Sequence, residues 1–338
     1  MKAAYYTRSR KFELREGEHP SPGPGEVTLR VAFCGICGTD VGIFKGKMDA
    51  RVGSAQILGH EASARVDQVG EGVTGLNPGD PVTVMPLHAK GNDPIRRAGL
   101  EHICESLDFI GIDAPGAFQS YWKVPADLVF KLPDSVTLQH AAMTEPIAVA
   151  CHDVRLSGIE PGQYAVVLGG GPIGALIALV ARARGARVLV SELNPYRLNL
   201  LNDLGVETID PQETDLPGTV KRQTEGAGAD VVFEVTGHPS GIEMATRLPK
   251  ARGVIMVVGI FAEPPKVDLF QFFWKELQMR GARVYEREDY AQAIELVSTG
   301  AMPLDRLISR VLPLERIQEG VEAMEQGGEN MKILIEVS

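Results

Sequence analysis

The sequence predicts an α/β protein in two parts: a β-rich domain and, inserted into it, a doubly wound parallel sheet. In the N-terminal part, short strand-like runs are separated by turn signals, which is typical of a barrel or sandwich. In the middle of the chain, apolar β-branched runs alternate with helical stretches, which indicates a parallel sheet covered on both faces. That series then stops, and a last strand-like run at 332–337 suggests a return to the first domain. We assign 1–150 and 286–338 to the β-rich domain and 151–285 to the parallel-sheet domain.

In the β-rich domain the predicted strands are 26–33, 61–69 and 81–85. The segments 70–75 and 77–80 between the last two are rich in glycine, proline, asparagine and aspartate, residues that suit positive φ and fixed turns. A helix is predicted over 137–150. In the parallel-sheet domain the predicted strands are 164–168, 187–190, 230–235 and 253–258, and the predicted helices begin near Pro172, Pro195 and Pro239.

Composition narrows the function classes. The 338 residues are 44% hydrophobic and 23% charged, a profile that excludes a disordered or fibrous chain. The net charge of −10 argues against a nucleic-acid or anionic-membrane partner. The uncharged run 164–181 is interrupted by glycines and proline at 169–172, so we interpret it as strand, turn and helix rather than a membrane span. Four cysteines and an N-terminus without an apolar stretch favour a reducing, cytoplasmic location.

A glycine-rich loop follows the first parallel strand and opens an apolar helix. It carries the pattern G-x-G-x-x-G, in which Gly169 permits the tight turn, Gly171 lets backbone amides approach a diphosphate, and Gly174 brings the helix close to the strand. Pro172 and Ile173 form the first helical turn, whose free N–H groups favour an anion. The pattern predicts a dinucleotide site, with an ordinary structural turn as the alternative.

An acid stands at the end of the next strand, at the distance expected for a residue that binds ribose hydroxyls. This residue is Glu192, and its charge would repel a 2′-phosphate, which favours NAD over NADP. Arg197 is close enough in sequence to weaken that preference, and a solvated glutamate is the alternative. Four further residues lie after later strands, where the crevice rule places the cofactor, although they could equally be ordinary turns. They are Thr236, Gly237, Val258 and Gly259.

Possible metal ligands occur in two short segments of the β-rich domain. Cys34 and Cys37 form a C-x-x-C pair, and His60 is followed by Glu61. The pair alone could be half of a zinc ribbon, a redox pair, or one ligand beside a buried neighbour. Without a second C-x-x-C, a four-cysteine structural site is disfavoured. Cys37, His60 and a carboxylate would instead give three mixed ligands and one open position, the arrangement of catalytic zinc.

These segments carry a resemblance to a known family. The runs 37–40, 59–61, 79–80, 145–146 and 169–174 occur in the order found in zinc-dependent medium-chain alcohol dehydrogenases. Over nearly its whole length the chain resembles the branch containing polyol (sorbitol), threonine and butanediol dehydrogenases. The resemblance implies a GroES-like catalytic domain around an inserted Rossmann domain. It also implies hydride transfer from a secondary alcohol, such as a polyol, sugar alcohol or vicinal diol, to NAD, in a homodimer or homotetramer.

The resemblance also implies roles for single residues. Cys37 and His60 match zinc ligands, Glu61 matches an adjacent acid that ligates the metal in some members, and Glu145 matches an acid that binds zinc directly or through water. Asp40 resembles a carboxylate that orients a ligand. Thr39 would accept a hydrogen bond from the alcohol, with a helix-cap threonine as the alternative.

The chain departs from the family pattern at two places. Where many relatives carry a four-cysteine structural zinc lobe, Lys90, Asp93 and Arg96 stand at three of the positions and only Cys104 remains. We therefore expect one catalytic zinc and no structural zinc, with Asp93 and its basic neighbours holding the lobe by ion pairs. Gly42 stands where many relatives have a histidine, which leaves the onward path of the proton open.

Two alternative functions are weighed against this interpretation. One is a zinc-free, NADPH-dependent enone or quinone reductase of the same superfamily, against which the metal-ligand set and Glu192 argue. The other is a non-catalytic nucleotide-binding protein with Cys34 and Cys37 as a redox sensor. The sequence leaves the substrate and the physiological direction of the reaction open.

Overall fold

A computed structural model describes the whole chain, Met1–Ser338, as two compact units. The β-rich unit contains Met1–Glu145 and Tyr290–Ser338, and the parallel-sheet unit contains Pro146–Asp289. The chain thus crosses between the units at 145/146 and at 289/290, whereas the breaks predicted from the sequence are 150/151 and 285/286. No helix of the structure has the length and apolar character needed to traverse a lipid bilayer.

The structure contains eighteen strands, numbered in chain order. They are β1 (Lys2–Tyr6), β2 (Phe12–Glu16), β3 (Glu26–Gly35), β4 (Gln56–Ile57), β5 (Glu61–Val69), β6 (Pro81–Val84), β7 (Leu87–Ala89), β8 (Leu107–Phe109), β9 (Tyr121–Pro125), β10 (Val129–Lys131), β11 (Tyr164–Leu168), β12 (Arg187–Ser191), β13 (Glu207–Ile209), β14 (Ala229–Glu234), β15 (Pro249–Val257), β16 (Gln278–Gly281), β17 (Ile308–Pro313) and β18 (Lys332–Glu336).

Twelve α-helices connect or flank these strands, and short 3₁₀ turns occupy Glu101–Ile103, Ala126–Leu128 and Leu314–Arg316. The helices are α1 (Gly38–Phe44), α2 (Pro94–Arg97), α3 (Leu138–Ala141), α4 (Thr144–Ser157), α5 (Pro172–Ala183), α6 (Pro195–Asp203), α7 (Leu216–Gln223), α8 (Pro239–Ala245), α9 (Leu269–Lys275), α10 (Arg287–Ser298), α11 (Leu304–Leu307) and α12 (Ile317–Gln326).

The β-rich unit is built around a seven-stranded sheet. Its order is β10-β6-β5-β3-β18-β17, with β9 also paired to β3. Strand β18 runs antiparallel to β3, with Leu334 opposite Gly35, so a strand from the last residues joins the sheet that contains β3, β5 and β6. Smaller sheets, β2-β1-β4 and β7-β8, flank it. This pairing places β18 beside the strand that leads into Cys37.

The parallel-sheet unit has six strands in the order β13-β12-β11-β14-β15-β16, and every pairing is parallel. The chain proceeds outward from β11 in one direction and then from β14 in the other, so the order reverses between these two strands. A cluster of buried side chains from β11, β12, β14 and β15, including Val166, Leu189, Val232 and Ile255, forms its core. The predicted fold class, a β-rich domain with an inserted doubly wound sheet, is confirmed.

Three differences from the predicted elements affect the sites described below. The single helix predicted over 137–150 is two helices, because Pro146 lies in the first turn of α4, where a residue without an N–H begins a helix more readily than it continues one. Strand β14 ends at Glu234 rather than at residue 235. Strand β16 was not predicted, because all four of its residues are exposed and give no apolar pattern.

Candidate functional site

Cys37 is held at the start of helix α1 by a reciprocal capping box. Its Sγ accepts a hydrogen bond from the backbone amide of Thr39 at 3.4 Å, and its own amide donates to Oδ2 of Asp40 at 2.9 Å. Such a box satisfies amides that a helix leaves unpaired at its N-terminus. Thr39 lies two residues after Cys37, and its amide donates to the sulfur.

Three predicted metal ligands come together beside this cap. One ligand atom each from Cys37, His60 and Glu61 lies within 4.8 Å of the other two. His60 and Glu61 are 2% and 1% exposed. Gly59 precedes them with φ +94°, and a Cβ there would lie 2.9 Å from Sγ of Cys34, so only glycine fits this approach to β5. Sulfur, imidazole nitrogen and carboxylate oxygen are the donors that zinc takes, at ~2.0–2.3 Å each.

The electrostatics of this cluster favour a cation. Burial alone would lower the pKa of His60, but the neighbouring Cys37, Asp40 and Glu145 outweigh it and raise the pKa to about 10. Nδ1 of His60 lies 4.0 Å from Oδ1 of Asp40, and neither atom has a hydrogen-bond partner. Asp40, which we expect to orient a ligand, thus faces His60 at a separation too long for a hydrogen bond. Donor set and field together fit a zinc ion.

Lys332, which was not predicted from the sequence, closes one side of the cluster. Its Nζ lies 2.7 Å from both carboxylate oxygens of Glu61 and 3.2 Å from the carbonyl oxygen of Ile36, and the residue is 2% exposed. Burial alone would lower the pKa of this lysine, but the negative charges of Glu61 and Cys37 outweigh burial, so the net shift of the pKa is upward. The available signal was a lysine immediately before the apolar run 333–335 of the final strand. Glu61 thus shares its carboxylate with a fixed cation.

Two other positions that the sequence singles out, Glu145 and Gly42, are not part of the cluster of Cys37, His60 and Glu61. Glu145 is 4% exposed and acts electrostatically on His60 and Lys332, but it is not one of the three residues whose ligand atoms lie within 4.8 Å of each other. Gly42 lies on α1, and a Cβ added there would meet nothing within 4 Å. No steric constraint therefore explains this glycine.

The lobe where many relatives carry a structural zinc is held here without the ion pairs that we expected for Asp93. Oδ1 of Asp93 caps α2 by accepting from the amides of Ile95 and Arg96, both at 3.0 Å, and Oδ2 accepts from the Ser106 hydroxyl at 2.6 Å. The expectation was wrong for Asp93 because its oxygens are engaged by amides and a hydroxyl. The basic residues pair elsewhere: Arg96 with Glu101 at 3.1 Å, and Lys90 with Asp108.

In the parallel-sheet unit, the glycine loop has the geometry that the motif predicts. Gly169 has φ +99°, and a Cβ on Gly174 would lie 1.8 Å from the carbonyl oxygen of Gly169, so both positions require glycine. Gly171 is the N-cap of α5, and Pro172 and Ile173 form its half-buried first turn. The first amides of this helix have no partner within the helix, and such a helix end is a suitable site for a diphosphate.

Glu192 lies against the glycine loop. Its carboxylate accepts hydrogen bonds from the amides of Gly170 at 2.8 Å, Leu193 at 2.7 Å and Asn194 at 2.9 Å. The guanidinium of Arg197 lies 3.8 Å away. The structure therefore brings together the loop, the acid and the arginine that the sequence associated with cofactor choice.

The remaining predicted cofactor residues lie beyond the carboxyl ends of two neighbouring strands. Thr236 and Gly237 follow β14, and Val258 and Gly259 follow β15. The buried Glu234, a second residue that was not predicted from the sequence, bonds to all four of them. An acid ending an apolar strand was the signal available in the sequence.

Comparison with known proteins gives consistent matches over both units. Residues 23–134 match the profile of the alcohol dehydrogenase GroES-like domain, and residues 172–299 match that of the zinc-binding dehydrogenases. The chain is 48% identical over 336 residues to 2-dehydro-3-deoxy-L-galactonate 5-dehydrogenase of Pseudoalteromonas atlantica, covering 99% of this chain and 98% of that one.

Two further proteins bear on substrate and cofactor. L-galactonate-5-dehydrogenase of Escherichia coli K12 is 30% identical over 309 residues, which cover 91% of this chain and 90% of that protein. A crystal structure from Sinorhizobium meliloti 1021, bound to NADP, superposes with a TM-score of 0.93 at 31% identity, covering 99% of each chain.

Proposed function

The chain belongs to the zinc-binding alcohol dehydrogenase family, and from that premise we propose that it oxidises a secondary hydroxyl of a sugar acid, with NAD as the hydride acceptor. The reaction class, hydride transfer from a secondary alcohol to a nicotinamide dinucleotide, follows from the family. The two alternative functions, a zinc-free enone or quinone reductase and a non-catalytic redox sensor, are not favoured. The sugar acid is supported by the 48% identity to an enzyme named for oxidation of a deoxy-galactonate at carbon 5.

We propose that one zinc ion binds to Cys37 and His60, with an acid from Glu61 or Glu145 as a further ligand. The triad within 4.8 Å supports Glu61, and the charge of Glu145 near His60 supports the other choice. When bound, zinc supplies a Lewis acid that lowers the pKa of an alcohol. Cys37 must be a free thiolate for this role, which supports a reducing, cytoplasmic location.

Thr39 is the proposed hydrogen-bond acceptor for the substrate hydroxyl, and its own hydroxyl relays the proton onward. Its backbone amide donates a hydrogen bond to the Cys37 sulfur, so the residue is adjacent to a proposed metal ligand. Beyond Thr39, the chain has Gly42 with open space around it rather than an imidazole. The proton would therefore leave through water rather than through a side chain at that position.

NAD is preferred over NADP in this proposal because of Glu192. A carboxylate fixed by three amides beside the loop would accept hydrogen bonds from ribose hydroxyls and repel a 2′-phosphate. Arg197, 3.8 Å from that carboxylate, is the feature that opposes this preference.

A lobe without the zinc-ligand set supports a single zinc per chain. At three of the positions where many relatives have zinc-binding cysteines, this chain has Lys90, Asp93 and Arg96. Lys90 and Arg96 form ion pairs with carboxylates, and Asp93 accepts hydrogen bonds from amides and a hydroxyl. Charged and amide groups thus supply the contacts that thiolates would otherwise provide.

We further propose a homo-oligomer. Strand β16 lies at the edge of its sheet with all residues exposed, and the neighbouring α9 exposes four large apolar side chains. These are Leu269 (71%), Phe270 (61%), Phe273 (78%) and Trp274 (70%). An apolar patch of this kind usually marks an interaction site, and light scattering would report whether two or four copies associate.

The test is a substrate panel with metal analysis. Purified protein is assayed for NADH formation with L-galactonate, 2-dehydro-3-deoxy-L-galactonate, sorbitol and 2,3-butanediol, and its zinc content is measured. We expect kcat/KM to be at least about tenfold higher for a sugar acid than for the neutral alcohols, with one zinc per chain. The Cys37→Ser variant should lose zinc and turnover but keep NADH binding. Preference for a neutral alcohol would refute the sugar acid, and two zincs per chain would refute the single site.

A further inference from the structure

Glu234 is a fully buried carboxylate for which the proposed reaction has no role. It is the last residue of β14 and is 0% exposed. Oε1 accepts hydrogen bonds from the amide of Thr236 at 2.9 Å and from the Thr236 hydroxyl, and Oε2 accepts from the amide of Gly237 at 3.2 Å. Its partners are thus the residues of the turn that follows its own strand.

The backbone of the same residue holds the neighbouring turn. The carbonyl oxygen of Glu234 accepts from the amides of Val258 and Gly259, both at 2.9 Å. These two residues follow β15, the strand paired in parallel with β14. One residue therefore fixes the turns 236–237 and 258–259 relative to each other.

Glycines enclose this carboxylate on several sides. A Cβ on Gly241 would lie 2.5 Å from Oε1, and a Cβ on Gly259 would lie 2.6 Å from Oε2. Gly237 has φ +61°, and a Cβ there would lie 2.6 Å from the carbonyl oxygen of Ile260. Because any larger residue would collide, the two turns close tightly around the carboxylate and have little freedom to rearrange.

The position of these turns in the sheet indicates which part of a dinucleotide they receive. Above β11 the glycine loop would hold the diphosphate, and on the β12 side Glu192 would hold the adenosine ribose. The nicotinamide half of the dinucleotide would therefore extend over β14 and β15. The turn after β14 abuts the loop, since a Cβ on Gly169 would lie 3.1 Å from Cγ2 of Thr236.

We propose that Glu234 is a positioning residue for the nicotinamide half of the dinucleotide. It does not touch the cofactor, and it acts by presenting the two turns in one fixed arrangement. A carboxylate suits this role because all its lone pairs accept, so it satisfies three donors at once. The inference rests on the proposed dinucleotide function, and it concerns one half of the ligand only.

The test compares a whole dinucleotide with its adenosine half in the Glu234→Gln variant. Glutamine has the same shape but keeps one oxygen and directs an NH₂ group at a donor, so one contact becomes unfavourable. We expect the dissociation constant of NADH to rise roughly tenfold, while that of ADP, which lacks the nicotinamide and its ribose, stays within about twofold of wild type, and kcat to fall. Glu243→Gln is the matched control, because Glu243 is 62% exposed on α8 and pairs with Arg247 at the surface.

A second variant covers the case in which Glu234→Gln does not fold. Thr236→Val removes one donor to Oε1 while preserving side-chain shape, and it should weaken NADH binding without weakening ADP binding. If either folded variant binds both ligands as wild type does, or loses both equally, Glu234 has no specific role for the nicotinamide half and the inference is wrong. If wild-type protein binds neither ligand, the proposed dinucleotide function itself is refuted.

Discussion

Among single residues, Lys332 forms a buried ion pair beside the proposed metal ligands. A lysine and a glutamate, 2% and 1% exposed, face each other at 2.7 Å next to two zinc-ligand candidates. Burying two charges costs free energy that only close pairing and further hydrogen bonds offset. The carbonyl of Ile36 supplies one such bond. Removal of either partner leaves an unpaired buried charge.

We predict that Lys332→Met lowers the free energy of unfolding by ~3–5 kcal/mol, because Glu61 then stays buried without its cation. Urea unfolding of EDTA-treated protein measures this effect without a contribution from zinc loss. Adding Glu61→Gln to the variant should restore part of the stability. Lys2→Met is the control, since the Lys2–Glu315 pair is exposed and its removal should change little. An equally small effect at Lys332 would contradict the account of the buried pair.

Glu192 is the residue whose substitution should change cofactor choice. Glu192→Ala removes the carboxylate beside Gly170 and leaves Arg197 free to meet a 2′-phosphate. We expect the KM for NAD to rise and the NAD-to-NADP ratio of kcat/KM to fall by at least about tenfold, measured by steady-state kinetics. Glu160→Ala serves as a control on the same unit, because Glu160 is exposed. An unchanged ratio would remove Glu192 from the ribose site.

The sequence could predict Cys37, His60 and Glu61 because short motifs specify them locally. It could not predict Lys332, which is 271 positions from Glu61 and reaches it only because β18 pairs with β3. Glu234 was missed for a different reason. Its strand was extended by one residue in the prediction, which placed the carboxylate inside the strand rather than at the turn.

Among the elements, those with a strong local signal were predicted best. Helices α5, α6 and α8 begin at Pro172, Pro195 and Pro239, where proline suits the first helical position, and β5 and β11 have the predicted bounds. Strands β13 and β16 were missed, because short or exposed strands depend on pairing with neighbours that a local pattern does not contain.

The lobe around α2 provides a prediction at this scale. The Ser106 hydroxyl and the amides of Arg96 and Ile95 lower the pKa of Asp93 to about 2, so its carboxylate is charged over the working pH range. We predict that Asp93→Ala frays α2, seen as faster hydrogen exchange at the amides of Ile95 and Arg96. Glu101→Ala removes only the pair with Arg96 and should leave those two amides protected. Equal exchange in both variants would mean that the cap does not hold the lobe.

At the scale of the whole molecule, both chain crossings between the units lie inside helices. The first crossing lies in α4 and the second in α10. Within the parallel-sheet unit, Asp289 of α10 accepts hydrogen bonds from Arg155 of α4 at 2.8 Å and 2.9 Å, and it lies 2.8 Å from Nδ1 of His152. The side chain of Asp289 is fully buried. This network links the two crossing helices, so its loss should affect the stability of the fold more than the loss of a surface pair would.

The charge of Asp289 makes that contribution depend on pH. Burial alone would raise the pKa of Asp289, but hydrogen bonds from Arg155, His152 and the Glu286 amide outweigh it and hold the pKa well below its usual value. A carboxyl with a lowered pKa stabilises the fold above its unfolded pKa, about 3.9, and loses that contribution as the pH falls. We predict that Asp289→Asn, which keeps one acceptor but loses the charge, is destabilised by ~1–3 kcal/mol near neutral pH. This difference from wild type should stay constant down to about pH 5 and shrink below it, as measured by urea unfolding at several pH values. Asp305→Asn, at a position 83% exposed, should show no such pH-dependent difference, and a difference for Asp289→Asn that grows on acidification would contradict a lowered pKa for this carboxyl.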